Sequence, residues 1–351
     1  MTTWNILHLV GSPTSIFHQE LSELYARGCA EALAKDDRFR FVHAHISPDG
    51  LWRFSLSLGP AALAASPVYA LPDALAKVRD MRIDIALPQM FCLRGMTEYR
   101  GLLDLLGITY LGNRPLQMAL AADKSRARAL VRAAGVNVPD GEVLRPGDAS
   151  TMPLPVVVKP NDADNSEGVS LVRSIDQYPA ALAGAFAHSG SVLVEKYIAL
   201  GREVRCGVIE RQGVLTCLPL EEYRVDETHR PIRLRNHKLQ RDSADRLELA
   251  AKAQSESWIV NSNDPVVNAV WHAAKQCHTA LGCRQYSLCD FRVDPDGTPF
   301  FLEASLYCSF SPQSVMVNMM QAAGTPLANF LDQTIEEALG GALKRPLVPQ
   351  H

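Results

Sequence analysis

The sequence predicts an α/β first domain built on a parallel sheet, followed by a second, strand-rich unit. Three observations carry that expectation. Strand-like and helix-like runs alternate as far as Gly112, a helical run over 116–135 closes on a glycine and opens new territory, and "DFRVDPDGTPFFLEAS" (290–305) reads as a hairpin turned at Asp296-Gly297. A chain of 351 residues is long for one compact core and fits two or three packed subdomains.

The elements follow in order. "NILHLVG" (5–11) predicts a strand running into a turn, and "ELSELYARGCAEALA" (20–34) has the apolar spacing of an amphipathic helix. "FRFVHAHI" predicts a second strand, and an irregular, proline-punctuated stretch follows it. "DALAKVRDM" then suits a helix, "IDIALPQM" a strand, and "YRGLLDLLGITYLG" a helix and a short strand. "GSPTS" lacks the glycine fingerprint of a dinucleotide site. Beyond "LQMALAADKSRARALVRAAG" (116–135), read as one helix, "LPVVVKP" (154–160), "VSLV" and "SVLVEKYI" (191–198) predict strands, and "ALGREVRCGVI" alternates like a hairpin partner. Residues 223–262 are charged and arginine-rich, which predicts a long surface excursion that orders on ligand binding. "NAVWHAAKQCHTALG" (268–282) restores a helix before the hairpin.

Composition removes several function classes. With 47% hydrophobic and 21% charged residues and a formal net charge of -3, the chain carries no electrostatic footprint for nucleic acid. No apolar run approaches the ~18 residues that span a bilayer, and "MTTWNILHLVGS" lacks the features of a secretory signal, so a cytoplasmic protein without a membrane partner is expected. Eight cysteines without a CxxC pair read as reduced core thiols rather than a zinc site. GxxxxGK[ST], HExxH, GxSxG and EF-hand patterns are all absent.

The chemistry therefore begins at the hairpin. With residue 295 opposite 298, Asp290 falls opposite Glu303, and Arg292, Phe301 and Ser305 share their face, while Phe291, Val293, Phe300 and Leu302 take the core face. Two acids set against each other repel, so a cation belongs between them. Asp290, Glu303 and Ser305 are candidates for magnesium, which takes carboxylate oxygens and keeps waters and phosphates as its other ligands. For a hairpin alone, pairing of both acids with Arg292 or other cations is the plainer reading.

Its company upstream shifts the balance. Lys159 ends a β-rich run just before the polar loop "NDADNSEG", where loop amides and Ser166 can close over a phosphate that its ammonium reaches, and Lys124 is a second such cation. In "VEKYIALGRE", Glu195 closes a strand, the following backbone can offer an edge to a base, and Glu203 can accept a ribose hydroxyl. Each of these has a bland counterpart in a solvated lysine or an ordinary turn.

In this order and spacing, from about Gly107 to Gly324, "GLLDLLGITYLG", "ALAADKSRARALVRAAGVNVP", "VVVKPNDADNSEGVSLV", "VLVEKYIALGREV" and "DFRVDPDGTPFFLEAS…SPQSVMVNMMQAAG" resemble the ATP-grasp superfamily in its D-alanine:D-alanine ligase-like branch. The resemblance implies an α/β N-terminal domain (1–112) plus an α+β ATP-grasp fold whose two subdomains (113–195 and 196–351) clamp ATP. It assigns Lys124 and Lys159 to phosphates, Glu195, Tyr197 and Ile198 to the adenine pocket, Glu203 to ribose, and Asp290, Glu303 and Ser305 to Mg2+. The last metal position is usually asparagine. Lys238 matches a mobile-loop lysine that touches the terminal phosphate. A symmetric homodimer is common in such families, and no interface is legible here.

Departures cluster where the substrates sit. His18, with Glu20 two residues on, stands near the place of a glutamate that holds the first amino group, and "FCLRGMTEYRG" replaces the family's "HGxxGEDG". An arginine two residues before the first metal acid is Leu288, an oxyanion-hole glycine is Ser309, and Arg292 is the cation expected to substitute. Ser314 keeps a position that recognises the acceptor carboxylate, though a serine opening a helix is as readily an N-cap. Loss of one oxyanion-type donor costs about 3 kcal/mol in the transition state, so two losses point to another substrate. The leading expectation is an amino-acid or peptide ligase of secondary metabolism, forming an amide from a carboxylic acid and an amine through an acyl phosphate. The alternative is an authentic D-alanine:D-alanine ligase of cell-wall synthesis, and a lesser one a non-catalytic nucleotide-binding protein.

Overall fold

The computed structural model describes residues 2–163, 166–233, 239–241, 247–249 and 256–343. They form two compact units. The first holds the chain up to Met118, Glu210–Val214 and the chain from Tyr307 onward; the second holds Ala119–Ile209 and Leu215–Leu306. The sequence reading had grouped the chain from Tyr307 onward with residues 196–306.

The first unit runs β1 (Trp4–Gly11), α1 (Ile16–Leu33), β2 (Phe39–Ile46), β3 (Trp52–Ser55), α2 (Pro60–Ala65), β4 (Val68–Tyr69), α3 (Leu71–Asp80), β5 (Ile85–Pro88), α4 (Leu93–Met96) and α5 (Glu98–Leu105). Its sheet order is β4-β3-β2-β1-β5. β1 lies parallel to β2 and β5, and is buried on both faces as a central parallel strand must be. The sheet is nevertheless mixed, because the proline-punctuated stretch contributes β3 and, at the edge, β4 as antiparallel strands, too short to show a period in sequence. Gly11 closes β1 at φ +97°, where a Cβ would fall 2.0 Å from the Ile46 carbonyl oxygen, so only glycine permits this turn.

α6 (Pro115–Ala122) and α7 (Lys124–Ala133) replace the single helix expected over 116–135. Asp123 breaks it: its backbone is extended, and its carboxylate accepts the Arg126 amide at 3.0 Å as an N-cap. Lys124 is thereby the first residue of a helix. β6 (Gly141–Leu144), β7 (Val156–Pro160), β8 (Ser170–Val172), α8 (Tyr178–Phe186) and β9 (Val192–Lys196) follow, and the strands form an antiparallel sheet ordered β6-β9-β7-β8. Next come β10 (Arg202–Arg211), β11 (Val214–Cys217), β12 (Glu221–Tyr223), β13 (Leu239–Arg241), β14 (Leu247–Leu249), β15 (Ser257–Ile259), α9 (Val266–Ala280), β16 (Tyr286–Val293) and β17 (Pro299–Ser305). The second antiparallel sheet is ordered β15-β12-β10-β16-β17, with β11 on β10 and a separate β13–β14 pair. From the excursion expected over 223–262, β15 supplies this sheet's edge. α9 covers one sheet face through Val270, Ala274 and Cys277, packed with Val204, Cys206, Cys289, Phe291 and Phe301. Six of the eight cysteines are buried. The first unit is completed by α10 (Val315–Ala322) and α11 (Leu327–Leu343). No helix among the described residues is long and apolar enough to cross a membrane.

The hairpin carries the main surprise in register. Its loop has three residues, not two: Asp294 N–H donates to the Thr298 carbonyl at 3.0 Å, and Asp294 Oδ1 accepts the amides of Asp296 and Thr298 at 3.0 and 2.8 Å, with Gly297 at φ +85°. Arg292 therefore faces Phe300 and Phe291 faces Phe301. A β-bulge at Leu302 then shifts the ladder by one and returns Asp290 to Glu303. The expected pairing of the acids is present, whereas the expected faces of Phe301 and Leu302 are exchanged: Phe301 is fully buried in the core and Leu302 lines a cleft. Phe301→Ala should accordingly destabilise the fold by about 3–5 kcal/mol and Leu302→Ala by about 1 kcal/mol in urea unfolding. The reverse ranking would rule out the bulge.

Candidate active site

A cleft opens within the second unit, lined from both of its sheets and from the start of α7. Lys124, Lys159, Ser166, Glu195, Tyr197, Ile198, Glu203, Asp290, Arg292 and Glu303 all line it. These residues are spread over 180 positions of sequence; strands carry Lys159, Glu195, Glu203, Asp290, Arg292 and Glu303, the start of α7 carries Lys124, and loops carry Ser166, Tyr197 and Ile198.

One wall is an ionic cluster. Lys159, on β7, faces β9 and places Nζ 2.5 Å from Glu195 Oε2, while Arg128, one helical turn beyond Lys124 on α7, brings Nε to 3.1 Å from Glu195 Oε1. All three side chains are nearly buried. Removing one partner of such a group strands a charge and typically costs 3–5 kcal/mol. Beside it Lys124 donates to the Ala163 carbonyl, and its Nζ lies 4.0 Å from Glu303 Oε2. Ser166 stands at φ +59°, a left-handed turn that bends the loop after β7 toward the cleft.

At the opposite side Arg292 is fully engaged. It donates to Glu203 Oε2 at 3.1 Å, the Tyr197 hydroxyl at 2.8 Å and the Pro231 carbonyl at 3.0 Å. It thus belongs with Glu203 and Tyr197, not beside Asp290 as expected for a substitute cation. That place is filled by Arg205, which the sequence reading missed although its two-residue spacing from Glu203 on one strand could have flagged it. Arg205 lies opposite Asp290 in the β10–β16 ladder and puts a guanidinium nitrogen 2.7 Å from Asp290 Oδ2. Burial pushes the Asp290 carboxyl above the usual range and Glu303 adds to that rise, while Arg205 opposes it. Asp290 Oδ1 is buried and has no hydrogen-bond partner among the described residues.

These donors fit a hard divalent ion. Asp290 and Glu303 face each other, offer oxygen only, and leave one buried carboxylate oxygen unclaimed. Ser305 lies two residues on, opposite Leu288, and is not among the described lining residues. Lys238 lies outside the described residues.

The expected substrate residues all fall in the first unit. His18 Nδ1 is 2.8 Å from the hydroxyl of Ser15, the α1 N-cap, and Glu20 follows on the same helix. Ser314 is the N-cap residue of α10, yet its side chain makes no capping bond and its Oγ is buried without a hydrogen-bond partner among the described residues. The purely structural alternative for this serine is therefore not realised. Ser309 is held through its backbone: Gln89 Nε2 donates to the Ser309 carbonyl, and to that of Cys308 at 3.4 Å. Gln89 Oε1 accepts from His8 Nε2 at 2.7 Å, so the neutral His8 presents Nδ1 as acceptor to His43 Nδ1–H at 3.1 Å. This buried relay fixes both tautomers and anchors the loop in which Phe310 sits at φ +50°.

Comparison with known proteins bears on the same elements. The family model described as "D-ala D-ala ligase C-terminus" matches residues 130–336. The D-alanine–D-alanine ligase of Mycolicibacterium smegmatis is 30% identical over 340 residues, covering 87% of this chain and 89% of that protein. Among solved structures, the VanG D-Ala:D-Ser ligase of Enterococcus faecalis has a TM-score of 0.78 at 22% identity, covering 96% of this chain and 100% of that one. The D-alanine–D-alanine ligase of Bacillus anthracis complexed with ATP has a TM-score of 0.71 at 22% identity, covering 97% and 99%. These two structural likenesses establish the fold, an α/β N-terminal sheet and two antiparallel subdomains of ATP-grasp type.

The histidine relay sets a pH response. Burial first, and for His8 also the neighbouring His43, lowers the two pKa values from 6.5 to about 3 and about 4. The stability they contribute is full above 6.5 and is lost as acidification protonates the unfolded chain before the folded one. Urea midpoints should fall from pH 6.5 to about 5, above most carboxylates, and His43→Leu should flatten that slope. An identical slope in both proteins would contradict it.

Proposed function

This chain belongs to the D-alanine–D-alanine ligase family of ATP-grasp carboxylate-amine ligases, and from that premise we propose that it joins D-alanine to a second amino acid using ATP. The names of the relatives favour the alternative of an authentic D-alanine:D-alanine ligase over the leading sequence expectation of a secondary-metabolism ligase. The observation that carries the reading is the meeting, in one cleft, of two opposed acids with two buried lysines: Asp290, Glu303, Lys124 and Lys159. We propose that the two sheets of the second unit, divided near residue 195, act as the jaws of a nucleotide clamp.

In this reading Glu195, Tyr197 and Ile198 border the base, Glu203 accepts a ribose hydroxyl, and Lys124, Lys159 and the loop at Ser166 receive the phosphates. Lys159 exchanges part of its bond to Glu195 for a phosphate oxygen, which its 2.5 Å ion pair holds it ready to do. Asp290 and Glu303 would hold a magnesium ion, with Ser305 as a weaker third donor; when bound, that ion offsets phosphate charge. The carboxylate oxygen of the first amino acid forms a bond to the γ-phosphorus as the bond to the β–γ bridging oxygen breaks, and that electron pair leaves with ADP. The amine of the second then attacks the acyl carbon, phosphate departs with the carbon–oxygen pair, and the ammonium proton passes to the released phosphate or solvent. The unsatisfied hydroxyl of Ser314, at a helix N-terminus, supports its assignment to the acceptor carboxylate. His18 and Glu20 on α1 stand for the first amino group.

With ATP and magnesium, ADP release should require D-alanine as the acid and should proceed with D-alanine or D-serine as the amine. Release only with other acids would restore the secondary-metabolism reading, and tight nucleotide binding with no release for any pair would favour the non-catalytic one. Ser314→Ala should raise the acceptor KM about tenfold or more while leaving the ATP KM within about twofold. Equal changes in both would remove Ser314 from the acceptor site.

A further inference from the structure

Arg205 is an unfinished ion pair. A guanidinium and a carboxylate bind best through two parallel hydrogen bonds, yet here one nitrogen meets Asp290 Oδ2 at 2.7 Å while Arg205 Nε and Asp290 Oδ1 are both buried without hydrogen-bond partners among the described residues. The arrangement is held from the side. Tyr223 on β12 lies under both Arg205, at 5.6 Å from ring centroid to guanidinium carbon, and Arg233, at 3.4 Å. The Arg205 side chain is 12% exposed, and Glu303 also acts on its charge. Arg292, by contrast, has three partners at the ribose side.

We propose that Arg205 is the cation that supports phosphoryl transfer in this enzyme, held by Asp290 until a divalent ion claims that acid and then turned to the γ-phosphoryl oxygens. This rests on the nucleotide reading above. A divalent ion drawing on Asp290 weakens the carboxylate as a partner for the guanidinium, and the nearest new anion is the phosphoryl group shared with that ion. Arg205 supplies charge and hydrogen bonds only: carboxylate oxygen to phosphorus forms, phosphorus to bridging oxygen breaks, and no proton moves to or from the guanidinium. A position on β10 is available for this because Arg205 and Asp290 face each other across the ladder.

The full-length protein can be titrated calorimetrically with ADP and magnesium, then with ADP, magnesium, aluminium fluoride and D-alanine, where the fluoride complex mimics the phosphoryl group in flight. Arg205→Gln should bind magnesium-ADP within about threefold of wild type but lose about 100-fold of the tightening given by fluoride, with Arg205→Lys recovering part of it. Arg292→Gln should do the opposite, weakening magnesium-ADP itself about tenfold and preserving the fluoride increment. Melting curves for both Arg205 variants report folding. An intact fluoride increment in Arg205→Gln, or a proportional loss of both affinities in Arg205→Gln and Arg205→Lys, overturns the proposal. If wild type binds no magnesium-ADP, the nucleotide reading itself fails; if wild type binds it and Arg205→Gln keeps the increment, only the role of Arg205 fails.

Discussion

Two carboxylates facing each other across a β-ladder repel, and the second unit is arranged around that repulsion. Asp290 and Glu303 are brought opposite by a three-residue turn and a compensating bulge at Leu302. Neither feature alone would do so. The three-residue turn without the bulge would pair Asp290 with Leu302, and one acid would be lost from the cleft. Bulges re-aim side chains beside functional sites, and here one sends Phe301 into the core beneath while Leu302 and Glu303 remain at the cleft. The repulsion is relieved from neighbouring elements, by Arg205 on β10 and Lys124 at the start of α7.

The same logic repeats along the cavity. Glu195 is shared by Lys159 and Arg128, and Glu203 is bonded by Arg292, so each of these acids is held in place by a cation. Buried ion pairs give little net stability, because desolvation offsets most of the Coulombic gain. What they provide is orientation. In the proposed reading, a nucleotide bringing phosphates to the lysines and hydroxyls to Glu203 would substitute partners rather than create order from exposed side chains. The first unit uses neutral groups for a comparable purpose: the His43–His8–Gln89 relay grips the backbone at Ser309 with no charge to desolvate.

Local signals were the legible ones. Lys159 at a strand end before a polar loop, Glu195 and Glu203 around "EKYIALGRE", and the facing acids of the hairpin could be read because each depends on spacing within a few residues. All reach the cleft. What escaped depends on partners distant in sequence or on a single backbone event. Asp123 divides a helix whose apolar spacing runs on through it, β3 and β4 are too short for a period, and the turn and bulge at the hairpin shift register in opposite senses. Arg205 escaped for another reason. It sits 85 residues from Asp290, and only the β10–β16 pairing makes them neighbours, so Arg292, nearby in sequence, drew the role instead.

Whether Asp290 and Glu303 together seat a divalent ion against a nucleotide in the second unit is most directly tested by crystallography with ADP and manganese. Anomalous scattering should give one or two peaks within bonding distance of both acids, with the diphosphate beside Lys124 and Lys159. Manganese bound elsewhere, or nucleotide density outside this cleft, would contradict it.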